Sequence, residues 1–263
     1  MPNKITEFVR EIYTYRHLLF SMVLRNLKGR YKSSYLGFAW HFITPAVLIA
    51  LFYIVFTSVM GKSVENYWVY LCIGMFPFTF FQDNLIAGSA CITSSASTIN
   101  KMYFPREIIV LAQVISTFIT FIMAYSIVIV LMLVTGIPLD IRVIPFLPLI
   151  LSLSIMFAIG FVLILSSLSV FMRDIQHLVS AFSRALFWIT PIFYMTADLG
   201  GVLAEIIWYN PLTYFITSYH DILYFGVVPG AFQLSVCVIL AFATPAIGLL
   251  VFTKYKKRFS EVL

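Results

Sequence analysis

Six apolar stretches, 35–60, 67–86, 108–134, 144–170, 178–195 and 231–253, fill most of this chain. Most of them reach the roughly 20 residues that a helix needs to cross about 30 Å of hydrocarbon. Lipid offers no water to the backbone, so a crossing segment must bond within itself as a helix or join a closed barrel. Barrel strands alternate polar and apolar residues, whereas these runs are continuously apolar, which selects helices. The expected fold is an all-α integral membrane protein with six transmembrane helices. Composition agrees, because 61% hydrophobic and 11% charged residues leave too little polar surface to coat a soluble globule of 263 residues.

Six crossings put both ends of the chain on one side, and the connections can then be compared by their cations. One side receives Lys4, Arg10, Arg16, Arg25, Lys28, Arg30, Lys32, Lys101, Arg106, Arg173, Lys254, Lys256, Lys257 and Arg258, with Arg184 just inside the fifth stretch. The other receives Lys62 and Arg142 beside Glu65, Asp140, Asp198, Glu205 and Asp221. The positive-inside rule therefore places both termini in the cytoplasm and the chain, multi-pass, in the cytoplasmic (inner) membrane. The net charge of +6 needs no nucleic-acid partner, since anionic lipid headgroups attract the same cations.

Residues 1–34 are expected to form a cytoplasmic amphipathic interfacial region, 35–255 the membrane domain and 256–263 a cytoplasmic tail. Ile5, Phe8, Val9 and Ile12 recur at helical spacing opposite Lys4, Glu7, Arg10 and Glu11, the pattern of a helix lying in the headgroup plane. No long apolar core with a small-residue cleavage site precedes them, so a secretory signal is not expected. The stretch 18–27 is too short to span and leads toward the first crossing.

Several chemistries lack their residues. Cys72, Cys91 and Cys237 are odd in number and widely spaced, and His17, His41, His177 and His220 lie in separate segments, so neither a disulfide framework nor a metal site is expected. The tripeptide Gly61, Lys62, Ser63 resembles the end of a phosphate-binding loop, but Phe56 stands where the leading glycine belongs. ATP hydrolysis by the chain itself is not expected. Ion-coupled carriers bury carboxylates or histidines at membrane depth; here only Asp83 and Arg184 qualify, and local pairing and snorkelling explain them adequately. A transport chain without coupling groups or a nucleotide site borrows its energy from a partner.

The cytoplasmic connection 87–105 carries Gly88, Ser89, Thr93, Ser94, Ser95, Ser97 and Thr98 and ends in Lys101 and Pro105-Arg106. It fits either a short surface helix that anchors another protein or a continuation of the second crossing. The other cytoplasmic connection, around Arg173 and Asp174, is a tight turn. The outer segment 196–229 is semi-apolar but broken by Gly200-Gly201 and Asn210-Pro211, which predicts two short helices, 199–209 and 212–225, dipping into the outer leaflet and returning. Irregular backbone at that depth must line a cavity or be buried in protein, so this segment is a gate candidate, with interfacial anchoring by its aromatics as the alternative. Aromatic residues make up 17% of the chain, and many, among them Phe52, Tyr53, Phe56, Phe78, Phe187 and Trp188, lie within the expected crossings. Such rings pack against apolar sugar faces, and Tyr and Trp add hydrogen-bond donors, so an aromatic-lined passage suits a glycan.

Five strings in order, RNLKGRYKSSYLGFAW from Arg25, KMYFPREI from Lys101, SVFMRDIQHLV from Ser169, FWITPIFY from Phe187 and NPLTYFI from Asn210, resemble the membrane subunit of type-2 ABC transporters. The resemblance is specifically to polysaccharide-export permeases that move O-antigen or teichoic acid, and it runs nearly end to end. It implies a homodimer, two copies of a separate ATPase that carries the ATP and Mg, no cofactor in this chain, and a channel for a lipid-linked polysaccharide between protomers. By the same resemblance, Lys101, Tyr103, Phe104, Pro105 and Arg106, with Arg173 and Asp174, would couple to the ATPase. Arg25, Arg30, Tyr31 and Lys32 would mark where the anionic headgroup of the substrate enters. Trp40, Tyr53, Trp188, Pro191, Tyr194, Tyr209, Pro211 and Tyr214 would belong to the channel and its outer gate. His220 departs from the pattern, many relatives carrying arginine there. Two other functions stay open: a membrane-embedded enzyme acting on lipid-linked glycans, for which Asp198, Glu205 and Asp221 are the available acids, and an exporter of small hydrophobic molecules with the same fold.

Overall fold

In the computed structural model, residues 10–29, 35, 37–59, 65–101 and 103–262 are described. Arg30, Tyr31, Lys32, the tripeptide 61–63 and most of the expected N-terminal amphipathic face lie outside them. Among the described residues every regular element is helical. We number the main helices α1 (Arg16–Gly29), α2 (Trp40–Ile54), α3 (Tyr67–Ser94), α4 (Glu107–Val134), α5 (Phe146–Phe171), α6 (Asp174–Ile189), α7 (Pro211–His220) and α8 (Ala231–Tyr255).

Four of these, α3, α4, α5 and α8, are long and apolar enough to cross a membrane. α2 has 15 residues, continued on both sides by a 3-10 turn at Gly37–Ala39 and a π-helical turn at Val55–Val59. α6 differs from the expected fifth crossing 178–195: it starts earlier, at Asp174, and stops at Ile189 after 16 residues. Thr190 leaves the helix at φ −84° and ψ 135°. Proline disfavours helical geometry in the residue before it, and Pro191 follows. Residues 190–195 consequently run as irregular backbone.

α3 is the central helix, with 72% of its apolar window buried, against 17% for α8 at the periphery. It packs against α2, α4, α5, α6 and α7, while α8 packs mainly along α5. Small residues allow that last approach: Gly248 lies so close to Gly160 that a methyl group on it would sit 2.6 Å from the Gly160 carbonyl oxygen. With no hydrophobic drive between helices in lipid, such backbone proximity and buried polar bonds hold them together. Asn84 in α3 is one such bond, accepting from Thr117 Oγ1 of α4 at 2.9 Å while its amide donates to the Phe80 carbonyl at 2.8 Å.

The connection 87–105 is chiefly a continuation of the second crossing, and its apolar Ile92 and Ile99 are buried in this chain's own core. α3 continues to Ser94, and a separate turn of helix, Ala96–Ile99, follows before the chain enters α4. The segment 196–229 forms two short helices at the expected places, Gly201–Ile206 prolonged by a 3-10 turn to Tyr209, then α7 prolonged by a π-helical turn to Phe225. α7 packs against α3, α5 and α8, burying Leu212, Phe215, Ile216 and Tyr219.

Candidate coupling face and aromatic groove

The basic connections converge at one end of the bundle. The turn entering α6 meets the end of α3, where Gln176 Nε2 donates to Thr93 Oγ1 at 3.1 Å. Lys256, just past α8, lies 2.7 Å from Glu107 at the start of α4. Within the expected coupling segment, Tyr103 is 97% exposed and Lys101 is exposed, while Phe104 turns inward at 6%. Phe104 therefore anchors the loop and Tyr103 is presented outward. Pro105 and Arg106 are half-buried, and Arg173 and Asp174 are exposed at the neighbouring turn. Asp174 occupies the first turn of α6, where a carboxylate complements the helix dipole.

Arg25 projects from α1 beside this end. It lines a cavity of about 420 Å³ together with Ser94, Ser95, Ser97, Thr98 and Gln113. The guanidinium, the hydroxyls and the Gln113 amide nitrogen can each donate to an anionic oxygen.

Higher in the bundle, α2, α3 and α6 enclose a groove of about 910 Å³, lined by Trp40, Leu48, Phe52, Phe78, Phe187 and Trp188 with Thr44, Thr79 and Gln82. Asp83 and Arg184, the two ionisable residues at membrane depth that the sequence singles out, line this same groove. Trp40 and Trp188 are 47% and 61% exposed, and Tyr53 of α2 is also exposed. Aromatic density rises toward the irregular end of α6. Phe193 stacks on Phe52 at 5.1 Å and meets Phe56, Phe187, Trp188 and Tyr194 within 5.8 Å, so its ring is the hub of the cluster.

The candidate gate residues divide. Pro191 is buried, and Tyr194 fastens the irregular segment 190–195: its hydroxyl donates to the Ile189 carbonyl at 2.8 Å, and its own carbonyl accepts from Tyr70 Oη at 2.9 Å. Tyr67 Oη likewise donates to the Phe193 carbonyl. Pro211 opens α7, where its missing N–H costs nothing. Tyr214 donates to the Trp208 carbonyl at 3.0 Å, and Tyr209 is 87% exposed.

Two contributors, Thr190 and Gly74, were not singled out by the sequence, and each acts through a residue that was. Asn210 caps α7 by accepting from the Leu212 amide at 3.0 Å, and its side-chain amide donates to Thr190 Oγ1 at 2.8 Å, so the residues before Pro191 and Pro211 are tied together. The Asn-Pro pair is a helix-start signal, but the bond to Thr190 has no local signature. Gly74 leaves room for His220, whose buried ring stacks on Tyr70 at 3.8 Å with Nε2 3.0 Å from the Tyr70 carbonyl. A carbonyl only accepts, so Nε2 carries hydrogen. An imidazole thus fills this position by packing and one hydrogen bond.

Four membrane-length helices, a basic end that gathers the inter-helix connections and an open aromatic groove define a multi-pass helical membrane protein. The profile of the ABC-2 type transporter family matches residues 17–224, and the chain belongs to that family. It is a transport subunit, a permease that works with a partner ATPase. It is similar to the O-antigen export system permease protein RfbA of Myxococcus xanthus, 29% identical over 259 residues that cover 96% of this chain and 98% of the relative. Two proteins of the same description from Klebsiella pneumoniae are 31% and 30% identical over 246 residues, 94% of this chain and 95% of theirs.

Proposed function

We propose that this chain is the permease subunit of an ATP-driven exporter that moves a lipid-linked polysaccharide, O-antigen or a similar surface glycan, across the cytoplasmic membrane. The observation that carries the reading is the aromatic groove: exposed Trp40 and Trp188 and half-buried Phe187 offer ring faces for sugars over a floor of buried Phe52 and Phe78, and Thr44, Thr79, Gln82, Asp83 and Arg184 offer polar groups for hydroxyls. The names of the relatives support the cargo class.

In this reading both termini are cytoplasmic, α2 and α6 complete the six crossings with the turns that flank them, and two copies place their grooves face to face around a shared passage. A two-fold axis makes such an interface self-complementary. Two copies of a separate ATPase carry the ATP and Mg and dock on Lys101 to Arg106, led by exposed Tyr103, and on Arg173 and Asp174. Arg25, with Arg30, Tyr31 and Lys32, receives the anionic headgroup. The outer pair, Gly201–Ile206 and α7, dips into the outer leaflet as the gate, hinged at the Thr190 to Asn210 tie. ATP-driven closure of the partner pushes the coupling segment and shifts the helices as rigid bodies.

The test is surface glycan in cells that carry this chain with or without the partner ATPase. Export is expected to stop without the ATPase; export unaffected by its loss ends the proposal. Charge reversal at Arg25, Arg30 and Lys32 is expected to reduce export while the complex still assembles, and normal export with all three reversed removes them from the headgroup site.

A further inference from the structure

The tail that follows α8 folds back onto both cytoplasmic connections. Lys256 Nζ lies 2.7 Å from Glu107 Oε1, with the two side chains 35% and 5% exposed. Arg106 Nη1 donates to the Lys256 carbonyl oxygen, and the Arg106 guanidinium sits 5.7 Å from the centre of the Phe259 ring. Phe259 is fully buried, edge-on to Phe252 at 5.5 Å and 6.2 Å from Phe171, while Tyr255 lies 5.3 Å from Phe171. Phe171 ends α5, one residue short of Arg173 and Asp174. Residues 252–259 therefore hold the start of α4 on one side and the end of α5 on the other.

We propose that this tail is a clasp that makes the two ATPase-facing connections move as one body, with Lys256 and Glu107 as its positioning pair. The inference rests on the transport reading above. Glu107 is the point of commitment. Its carboxylate is buried, and Oε2 has no hydrogen-bond partner among the described residues, so Lys256 supplies its charge compensation. A buried carboxylate deprived of its cation is costly, which favours the closed clasp. The pair also walls a cleft of about 660 Å³ beside Tyr103 and Lys101, so force applied to the exposed loop reaches the tail directly. With the clasp shut, displacement of residues 101–106 drags α5 and α8 along. With it open, the loop moves alone, and ATP is hydrolysed without opening the passage.

The test compares the wild-type complex with Lys256→Met, Glu107→Gln, Lys256→Arg and the swap Glu107→Lys with Lys256→Glu. Three quantities are measured: assembled permease–ATPase complex, ATP hydrolysis by that complex in lipid nanodiscs, and surface glycan in cells. Lys256→Met is expected to keep assembly and hydrolysis while glycan exported per ATP falls about fivefold, within the range by which single residues modulate coupling. Lys256→Arg is expected to restore the ratio, and the swap to recover part of it. An unchanged ratio in both Lys256→Met and Glu107→Gln overturns the clasp. So does a parallel fall in assembly, hydrolysis and export, which is the signature of a purely structural pair. Should the wild-type complex itself export nothing with ATP, the transport reading fails first, and the two failures are told apart by that control.

Discussion

The seam between α5 and α8 and the groove between α2, α3 and α6 are built from the same apolar vocabulary and behave oppositely. At the seam, a methyl group on Gly160 would sit 2.3 Å from the Thr244 carbonyl carbon and 2.4 Å from the Pro245 nitrogen, so backbone meets backbone. In the groove, large rings pack on one another along the wall, Phe187 touching Phe52, Phe78 and Trp188, and leave about 910 Å³ open beside them. Glycine removes side-chain volume so that two helices become one unit; tryptophan and phenylalanine keep volume where the unit stays open. The bundle is therefore rigid at the seam and has surface to offer a second molecule at the groove.

That contrast can be broken by filling the seam. Gly160→Ala should cost the most, about 3 kcal/mol, because the neighbouring atoms are backbone and cannot swing away; thermal unfolding of the solubilised protein reads it, and an unshifted midpoint removes the rigid seam. Gly74→Ala should cost about 2 kcal/mol by overpacking, since its methyl would land 2.9 Å from His220 Nε2 and 3.2 Å from the Ile192 Cα. The same assay, paired with a smaller residue at His220, should show partial recovery if the ring is the obstacle.

Asn210→Ala should lose about 1 kcal/mol, the usual value of a helix cap. A double-mutant cycle with Thr190→Val should show less than additive loss, because the two share one bond. Smallest for stability is Trp40→Ala with Trp188→Ala, expected within about 0.5 kcal/mol each since about half of each residue is exposed. Export, measured as surface glycan, should nonetheless fall. Loss of stability without loss of export would reverse the assignment of seam and groove.

Much of the architecture was readable residue by residue. The breaks at Gly200-Gly201 and Asn210-Pro211 predicted the pair of short helices nearly to its ends, whereas the split within 101–106, with Lys101 and Tyr103 exposed and Phe104 buried, had no signal in the sequence. The fifth crossing was drawn too long, because hydropathy continues through Ile192 and Phe193 while the helix obeys Pro191. Asp83 and Arg184 looked like unrelated exceptions until folding put them in one groove. The clasp was invisible for the same reason: Glu107 and Lys256 are 149 positions apart, and nothing local marks either as the other's partner.

Hydrophobicity, charge distribution and helix-breaking residues belong to short stretches of chain, so the sequence alone determined that this protein is helical, lives in lipid and carries its cations toward one end. Which helix lies central, which glycines meet, and which tail residue compensates a buried carboxylate depend on approach between segments distant in the chain. Lipid rewards every apolar helix about equally and does not choose among pairings. Shape and a few buried polar bonds make that choice, and they exist only once the bundle has assembled.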